Sequence, residues 1–333
     1  MLPSPSPCIL ERVNARPAGS RQQTKNLISP LGVLAGLCVI AGCTVPATGP
    51  ATGPAAGPAT GSPAASPVRA DPGATAGVGG TPLVLPPRVT VSRIRTADGS
   101  LVTVAAFRGP VRYVLHNGSQ DPGPGYARLV RAGPAVGGAE RRHLLAAFNG
   151  GFLLRSRAGG YEQEGHVFRA LRHGLASLVI DRSGRARIGV WRVDVPVPGE
   201  AVYSVRQNLW PLVLAGQPTR QAARWWRWGG TIGHVEYVAR SALGQDASGD
   251  LLYAASMSAT PQDLAVALAR SGARIAMELD INPEWVQLAV ARAPGGSLAA
   301  AIPGQVRPAG QYLTGWTRDF IAVLAPTPPS RRT

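Results

Sequence analysis

Ile275-Ala276-Met277-Glu278-Leu279-Asp280-Ile281-Asn282-Pro283 is an apolar run with two carboxylates near its end. Read as a strand, it points Glu278 and Asp280 to the same face, roughly 6–7 Å apart. At that separation two acids influence one another's ionisation and can divide acid and base roles. Their apolar neighbours predict burial, and buried carboxylates need partners or a function. Far upstream, Ala146-Ala147-Phe148-Asn149-Gly150-Gly151-Phe152 repeats the pattern, an apolar strand delivering a polar side chain to a turn. Gly150 and Gly151 would let a ligand approach the backbone closely there.

The chain around these two runs reads mostly as strands. Alternating or apolar runs fall at 88–94, 101–107, 111–115, 144–148, 176–181, 186–193, 209–214, 251–257, 275–279, 286–291 and 320–324. Ala97-Asp98-Gly99-Ser100 and Asp181-Arg182-Ser183-Gly184 supply turn chemistry between neighbours, so the pairing should be largely antiparallel. Helical spacing is clear once. Thr260-Pro261-Gln262-Asp263 offers a cap, a proline at the first helical position and an acid in the first turn. Leu264, Ala265, Leu268 and Ala269 follow on one face, and Gly272 ends the helix. A second, weaker helix is predicted around 126–132. Many strands and few helices give an α+β fold, a mostly antiparallel or mixed β-sheet with a few packed helices.

The N-terminus reads as an export signal. Arg12, Arg16, Arg21 and Lys25 precede an apolar stretch from Leu27 to Gly42, and Ile40-Ala41-Gly42 stands directly before Cys43. This resembles a bacterial lipobox, with 1–42 as signal peptide and Cys43 as the lipidation site. The apolar run is shorter than the ~20 residues a spanning helix needs. The expected location is extracytoplasmic, anchored to the membrane of the cell envelope by lipid. Residues 43–87 are Ala, Gly, Pro, Thr and Ser without apolar bulk, a tether that cannot bury a core. Residues 326–333 form a second Pro/Arg-rich tail. Between them, 88–325 is long enough for one well-packed domain.

Composition excludes several functions. Cys8, Cys38 and Cys43 are the only cysteines, so the exported domain has no thiol for disulfides, catalysis or metal binding. The net charge of +16 is almost wholly arginine, since Lys25 is the only lysine. The arginines are scattered, and no helix-turn-helix, basic zipper or ribonucleoprotein pattern accompanies them, so no nucleic-acid partner is expected. Attraction to an anionic envelope polymer or a phosphorylated ligand fits the charge better. Neither a His-Glu-x-x-His nor a Gly-x-Ser-x-Gly motif occurs. No metal or cofactor is expected, and the oligomeric state is left open.

The remaining candidates each have a structural and a functional reading. Asn149 is either a turn asparagine capping its own backbone or a ligand contact. Arg240, in Val238-Ala239-Arg240-Ser241-Ala242-Leu243-Gly244, is a counter-ion for a buried acid or an anion clamp. His234 and Glu236 would alternate on one strand face, but the Pro-Cys-x-x-Cys partner of zinc deaminases is missing. Trp225, Trp226 and Trp228, with Arg224 and Arg227, sit on a predicted loop and either anchor it or stack on sugar.

The order of these segments carries a resemblance. Asn-Gly-Gly-Phe, the 177–190 hairpin, Ala-Arg-Ser-Ala-Leu-Gly, a helix and a Leu-Asp pair resemble the phosphodiester glycosidase domain family over about 144–324. The resemblance implies an α+β domain with an active cleft that cleaves the glycosidic bond of a sugar-1-phosphodiester. Asn149, Gly150, Gly151, Arg240 and Asp280 stand at matching positions. The family typically has Asp-Gly-Gly-x-Ser after that strand, where this chain has Asp280-Ile281-Asn282-Pro283-Glu284-Trp285. The roles expected are Asp280 as base or nucleophile, Glu278 as its polar partner and Arg240 on phosphate. Asn149 and Asn282 would orient sugar hydroxyls, with Glu284 and Trp285 walling the cleft. The alternative is an envelope lipoprotein that holds a carbohydrate or sugar-phosphate ligand without cleaving it.

Overall fold

The computed structural model describes residues 87–229 and 233–326. The predicted signal, Cys43, the tether up to residue 86 and the tail beyond residue 326 lie outside the described residues. The described strands form three sheets, and every ladder between them is antiparallel. The largest has seven strands, in the spatial order Val89–Arg95, Leu101–Phe107, Leu251–Ala259, Val238–Asp246, Ala273–Glu278, Pro211–Leu214 and Gln217–Pro218. A five-stranded sheet runs Leu298–Ala300, Leu288–Ala291, Leu144–Asn149, Phe320–Leu324 and Arg112–His116. A second five-stranded sheet runs His166–Arg169, Tyr161–Gln163, Ser204–Gln207, Ala176–Ile180 and Ala186–Val190.

One large core lies where the three sheets meet. Phe107, Leu243, Tyr253 and Met277 come from the first sheet, Phe148, Val290 and Ile321 from the second, and Tyr161, Leu178 and Ile188 from the third. Phe107 stacks on Phe148 with centroids 5.6 Å apart, and Phe148 leans on Tyr253 at 4.9 Å. These contacts tie the seven-stranded sheet to the sheet that holds Leu144–Asn149. Because strand side chains alternate, the other face of the seven-stranded sheet presents Val104, Ala242, Leu252 and Ala254 to the helix Pro261–Arg270. The other face of the second sheet buries Leu144, Ala147 and Phe320 against Tyr312.

The helix Pro261–Arg270 begins as its sequence predicts. Thr260 Oγ1 accepts the Asp263 N–H at 3.1 Å, and Asp263 Oδ2 accepts the Thr260 N–H at 2.9 Å, a reciprocal cap. Leu264, Ala265, Ala267 and Leu268 are buried on the sheet, each leucine contributing about 1.5–3 kcal/mol. Gly272, at φ 97°, turns the chain directly into strand Ala273–Glu278. The helix predicted near 126–132 is a single turn, Pro124–Ala127, and a short helix at Gly138–His143 is additional. The fold is therefore β-rich, with only short helices beside Pro261–Arg270, and holds less helix than an α+β label implies.

Candidate active site

Glu278 and Asp280 do face the same way, but each has its own arginine. Met277 and Leu279 point into the large core, leaving Glu278 and Asp280 on the opposite side. Pairing with the central strand continues past Glu278, since the Leu279 N–H donates to Ser241 O and the Ser241 N–H to Asp280 O, both at 2.8 Å. Glu278 is fully buried and receives Arg240 Nη1 at 2.8 Å. Arg240 also donates to the carbonyls of Trp228 at 2.9 Å and Ala259 at 3.0 Å. Its guanidinium is thus enclosed by its own chain, and the phosphate clamp expected of it is replaced by a structural ion pair. Burial pushes the Glu278 carboxyl up to about 7, against the opposing pull of Arg240.

Asp280 pairs instead with Arg318, whose Nη1 lies 3.0 Å from Oδ2. Its Oδ1 accepts the backbone N–H of Ile281 at 2.7 Å and of Asn282 at 3.2 Å. Burial raises the Asp280 carboxyl to about 6 despite Arg318 and the two N–H donors, with Asp319 adding to the rise. The Asp280 charge adds a little to the rise at Glu278, but each carboxylate is bonded to its own arginine, so the expected acid pair is two neighbouring ion pairs and not one shared site.

Asn149 is a junction between sheets. Its Nδ2 donates to Ser241 Oγ at 2.9 Å and Gly150 O at 2.8 Å, while its Oδ1 accepts from Tyr253 Oη at 2.8 Å and Gln287 N at 3.2 Å. With amide and carbonyl both engaged, this side chain positions strands and presents nothing to a ligand. The close approach at the two glycines is likewise made by the chain itself. A Cβ on Gly150 would stand 2.0 Å from Asp319 Oδ2, and one on Gly151 would stand 2.8 Å from Arg206 Cζ. Arg206 Nε and Asp319 Oδ2 form a buried ion pair at 2.7 Å beneath that turn.

A cleft of about 430 Å³ opens beside Asp280. Asp280, Ile281, Asn282 and Arg318 line one part, Phe152, Leu175, Leu209 and Trp210 give it apolar surface, and Arg157 and Arg172 also line it. Of the residues singled out in the sequence, Asp280 and Asn282 line this cleft. Arg240, Glu278, Asn149, Gly150, Gly151, Glu284 and Trp285 do not. Asn282 Oδ1 accepts the Glu284 N–H at 2.9 Å, which shapes the turn. Trp285, expected as a wall, is a platform: Arg318 lies 4.5 Å over its ring, and Trp316 stacks on it at 5.2 Å. Arg307 covers both rings and pairs with the exposed Glu284. The bulkier turn therefore holds the arginine that meets Asp280.

Concavities of about 540 Å³ beside Arg112 and His116, and about 590 Å³ beside Asp246 and Asp250, are larger. In the first, Glu140 and His116 pair with each other, and Glu164 caps the N–H groups of Arg131 and Ala132. In the second, both aspartates pair with Arg108. The 430 Å³ cleft is the one with a buried acid raised toward neutrality, and that acid decides the choice.

The other sequence candidates fall elsewhere. His234 has φ 50° in an exposed turn before strand Val238–Asp246, so His234 and Glu236 share no strand face. Trp228 is buried and donates Nε1–H to Gln221 O at 2.7 Å, while Trp226 is exposed. Among the described residues, no group of three His, Cys, Asp or Glu side chains could hold a metal ion, and no helix is long and apolar enough to cross a membrane. Sequence reasoning missed Arg318, Asp319, Arg206, Arg157, Arg172 and Trp210. A signal existed for the first two, because Thr317-Arg318-Asp319 stands immediately before the apolar strand Phe320–Leu324.

No protein-family model matches the sequence, and no curated protein matches it. Solved structures do share part of its shape. The catalytic domain of zebrafish N-acetylglucosamine-1-phosphodiester alpha-N-acetylglucosaminidase, auto-inhibited by its pro-peptide, is 15% identical, with a TM-score of 0.44 over 72% of this chain and 82% of that one. A hypothetical protein from Synechocystis is 13% identical, with a TM-score of 0.39 over 71% of this chain and 61% of that one. A protein from Burkholderia pseudomallei K96243 described as exported is 13% identical, with a TM-score of 0.37 over 68% and 74%. These likenesses are distant.

Proposed function

We propose that this chain is an exported, lipid-anchored hydrolase that cleaves the glycosidic bond of a sugar-1-phosphodiester or a related envelope glycan. The observation that carries the reading is the Asp280–Arg318 pair, a carboxylate raised to about 6 beside a guanidinium in an aromatic-sided cleft. Asp280 serves as base or nucleophile. Among the described residues, Arg318 spends only Nη1 on a hydrogen bond, so Nε and Nη2 remain to meet a phosphate. Asn282 meets sugar hydroxyls, and Trp210 and Phe152 meet the apolar faces of a ring. Glycosidases ordinarily need two carboxyl groups, one of them to protonate the leaving group. A phosphate leaves without that help and needs its charge stabilised, which suits a lining with one carboxylate and three guanidinium groups.

The same lining favours one alternative, an envelope lipoprotein that binds such a glycan without cleaving it. Asp280 already accepts three hydrogen bonds from its own chain, and no second acid shares the cleft. A screen of phosphodiester-linked sugars separates the two readings. Release of free sugar supports hydrolysis; retention of intact ligand supports binding alone.

The pH dependence follows from the role given to Asp280. A base or nucleophile works ionised, so kcat/KM should fall as pH drops through about 6. Arg318 lowers the Asp280 pKa, so Arg318→Met should move this acid limb to higher pH. A limb that stays in place in the variant would exclude Asp280 as its origin.

The anchor is tested separately. Intact-mass measurement should find a mature chain beginning at lipid-modified Cys43, and Cys43→Ser should shift the protein out of the membrane fraction. A soluble product retaining Met1 would contradict the lipoprotein assignment.

A further inference from the structure

We propose that this cleft takes a ligand bearing at least two phosphate groups along its length, a phosphate-rich glycan polymer rather than a single sugar phosphodiester. The inference rests on the reading of the cleft as a site for a phosphate-bearing sugar. Arg318 beside Asp280 accounts for one phosphate. Arg157 and Arg172 line the same cleft, and among the described residues neither forms an ion pair. Three guanidinium groups face one carboxylate, so a single phosphate monoanion leaves positive charge uncompensated. A second phosphate further along the ligand would meet it.

The backbone that carries the two arginines is held in place. Arg157 sits in the left-handed region at φ 60°, a conformation that glycine adopts without cost and arginine rarely does. Its carbonyl accepts Arg172 Nη1 at 2.9 Å, so the two are joined. Arg172 is held from inside by the buried Gln207, whose Oε1 accepts the Arg172 N–H at 2.8 Å and whose Nε2 donates to the Arg172 carbonyl at 3.1 Å. Both arginines are exposed, and the clamp fixes the backbone from which the Arg172 side chain starts. Trp210 also lines the cleft, packed edge-on against the buried Trp228 with centroids 6.4 Å apart. Arg227 lies 5.1 Å over one face of this ring, so a sugar would stack on the other. A volume of about 430 Å³ lies within the usual range for a small-ligand site and holds a sugar with its flanking phosphates.

Calorimetric titration of the full chain with inorganic phosphate, pyrophosphate and tripolyphosphate tests this. Affinity should rise by about tenfold or more from phosphate to tripolyphosphate, equivalent to about 1.4 kcal/mol, and the rise should shrink in high salt. The double variant Arg157→Gly, Arg172→Gln should lose that gradient. Glycine suits the left-handed backbone at 157, so its thermal midpoint should not fall for want of a side chain there. Arg155→Gln removes an equally exposed charge that does not line the cleft, and should keep the gradient. Affinity independent of phosphate number, a gradient that survives the double variant, or one that Arg155→Gln erases equally would overturn the proposal. A glycosyl-phosphate oligomer should bind more tightly than a single-stranded oligonucleotide with the same number of phosphates, and the reverse order would overturn the glycan assignment. An intact gradient without turnover of any phosphodiester-linked sugar would support this inference and sink the hydrolase reading alone.

Discussion

Asp280→Asn should lower turnover of an aryl sugar phosphodiester by about 10²–10⁴-fold, the range for losing a positioned base. The substitution keeps the shape of the group. An asparagine oxygen can still accept the N–H groups of Ile281 and Asn282, so the turn that carries Asn282 should persist. The negative charge and the ion pair with Arg318 are lost, which frees that guanidinium for phosphate. Ligand binding should therefore hold or tighten while turnover collapses, a split that a misfolded variant would not give. Stability supplies a control with a definite sign. The Asp280 pKa is raised from 3.8 to about 6, so its contribution is fully present below pH ~4 and is lost as pH rises through about 6. Above that window the native protein carries a buried charge that the asparagine variant lacks. The stability difference should move in favour of Asp280→Asn between pH 4 and 7.5, as read by thermal midpoints. Unchanged turnover in Asp280→Asn would remove Asp280 from the chemistry.

Arg240→Met should destabilise the fold by about 3–5 kcal/mol, the usual cost of breaking a buried ion pair from one side. Arg240 and Glu278 are both enclosed, and Glu278 Oε2 has no hydrogen-bond partner among the described residues. Without the arginine, the acid keeps its burial penalty and loses the interaction that lowers its pKa. It will then hold its proton at neutral pH, so the loss should be larger at pH 9 than at pH 6. The double variant Arg240→Met, Glu278→Leu removes both charges and should recover most of the stability, because replacing a whole buried pair by apolar groups is often neutral. Urea unfolding of the two variants and the parent checks this. If Arg240→Met stays folded and loses phosphate affinity, Arg240 is the clamp after all and Arg318 is not.

Much of the scaffold was legible in the sequence, for identifiable reasons. Strands Leu101–Phe107 and Phe320–Leu324 are contiguous apolar runs bounded by turn or charged residues, and the helix Pro261–Arg270 carries its own cap. The central strand Val238–Asp246 was hidden because it has little β-branched content. Its Gly244 is enforced by close packing: a Cβ there would lie 2.9 Å from the Ala273 Cβ on the neighbouring strand and 3.2 Å from Leu268 on the helix. Strands such as Tyr161–Gln163 and Ser204–Gln207 are too short for an alternation to register, and their polar residues are buried, Gln163 on backbone carbonyls and Arg206 on Asp319. At the site, the apolar-run pattern located Asp280 and Asn282. It could not say which arginine meets which acid, because that depends on long-range pairing. Arg318 meets Asp280 only because strand Phe320–Leu324 pairs with Leu144–Asn149 and brings its leading residues to the same end of the molecule.

The most direct measurement is a crystal structure of the full chain with a non-hydrolysable sugar-1-phosphonate. The account predicts the phosphonate on Arg318 Nε or Nη2, the sugar ring against Trp210 and Phe152, and the anomeric carbon facing Asp280. A ligand seated beside Arg112 and His116, or a cleft at Asp280 left empty at saturating ligand, would contradict it.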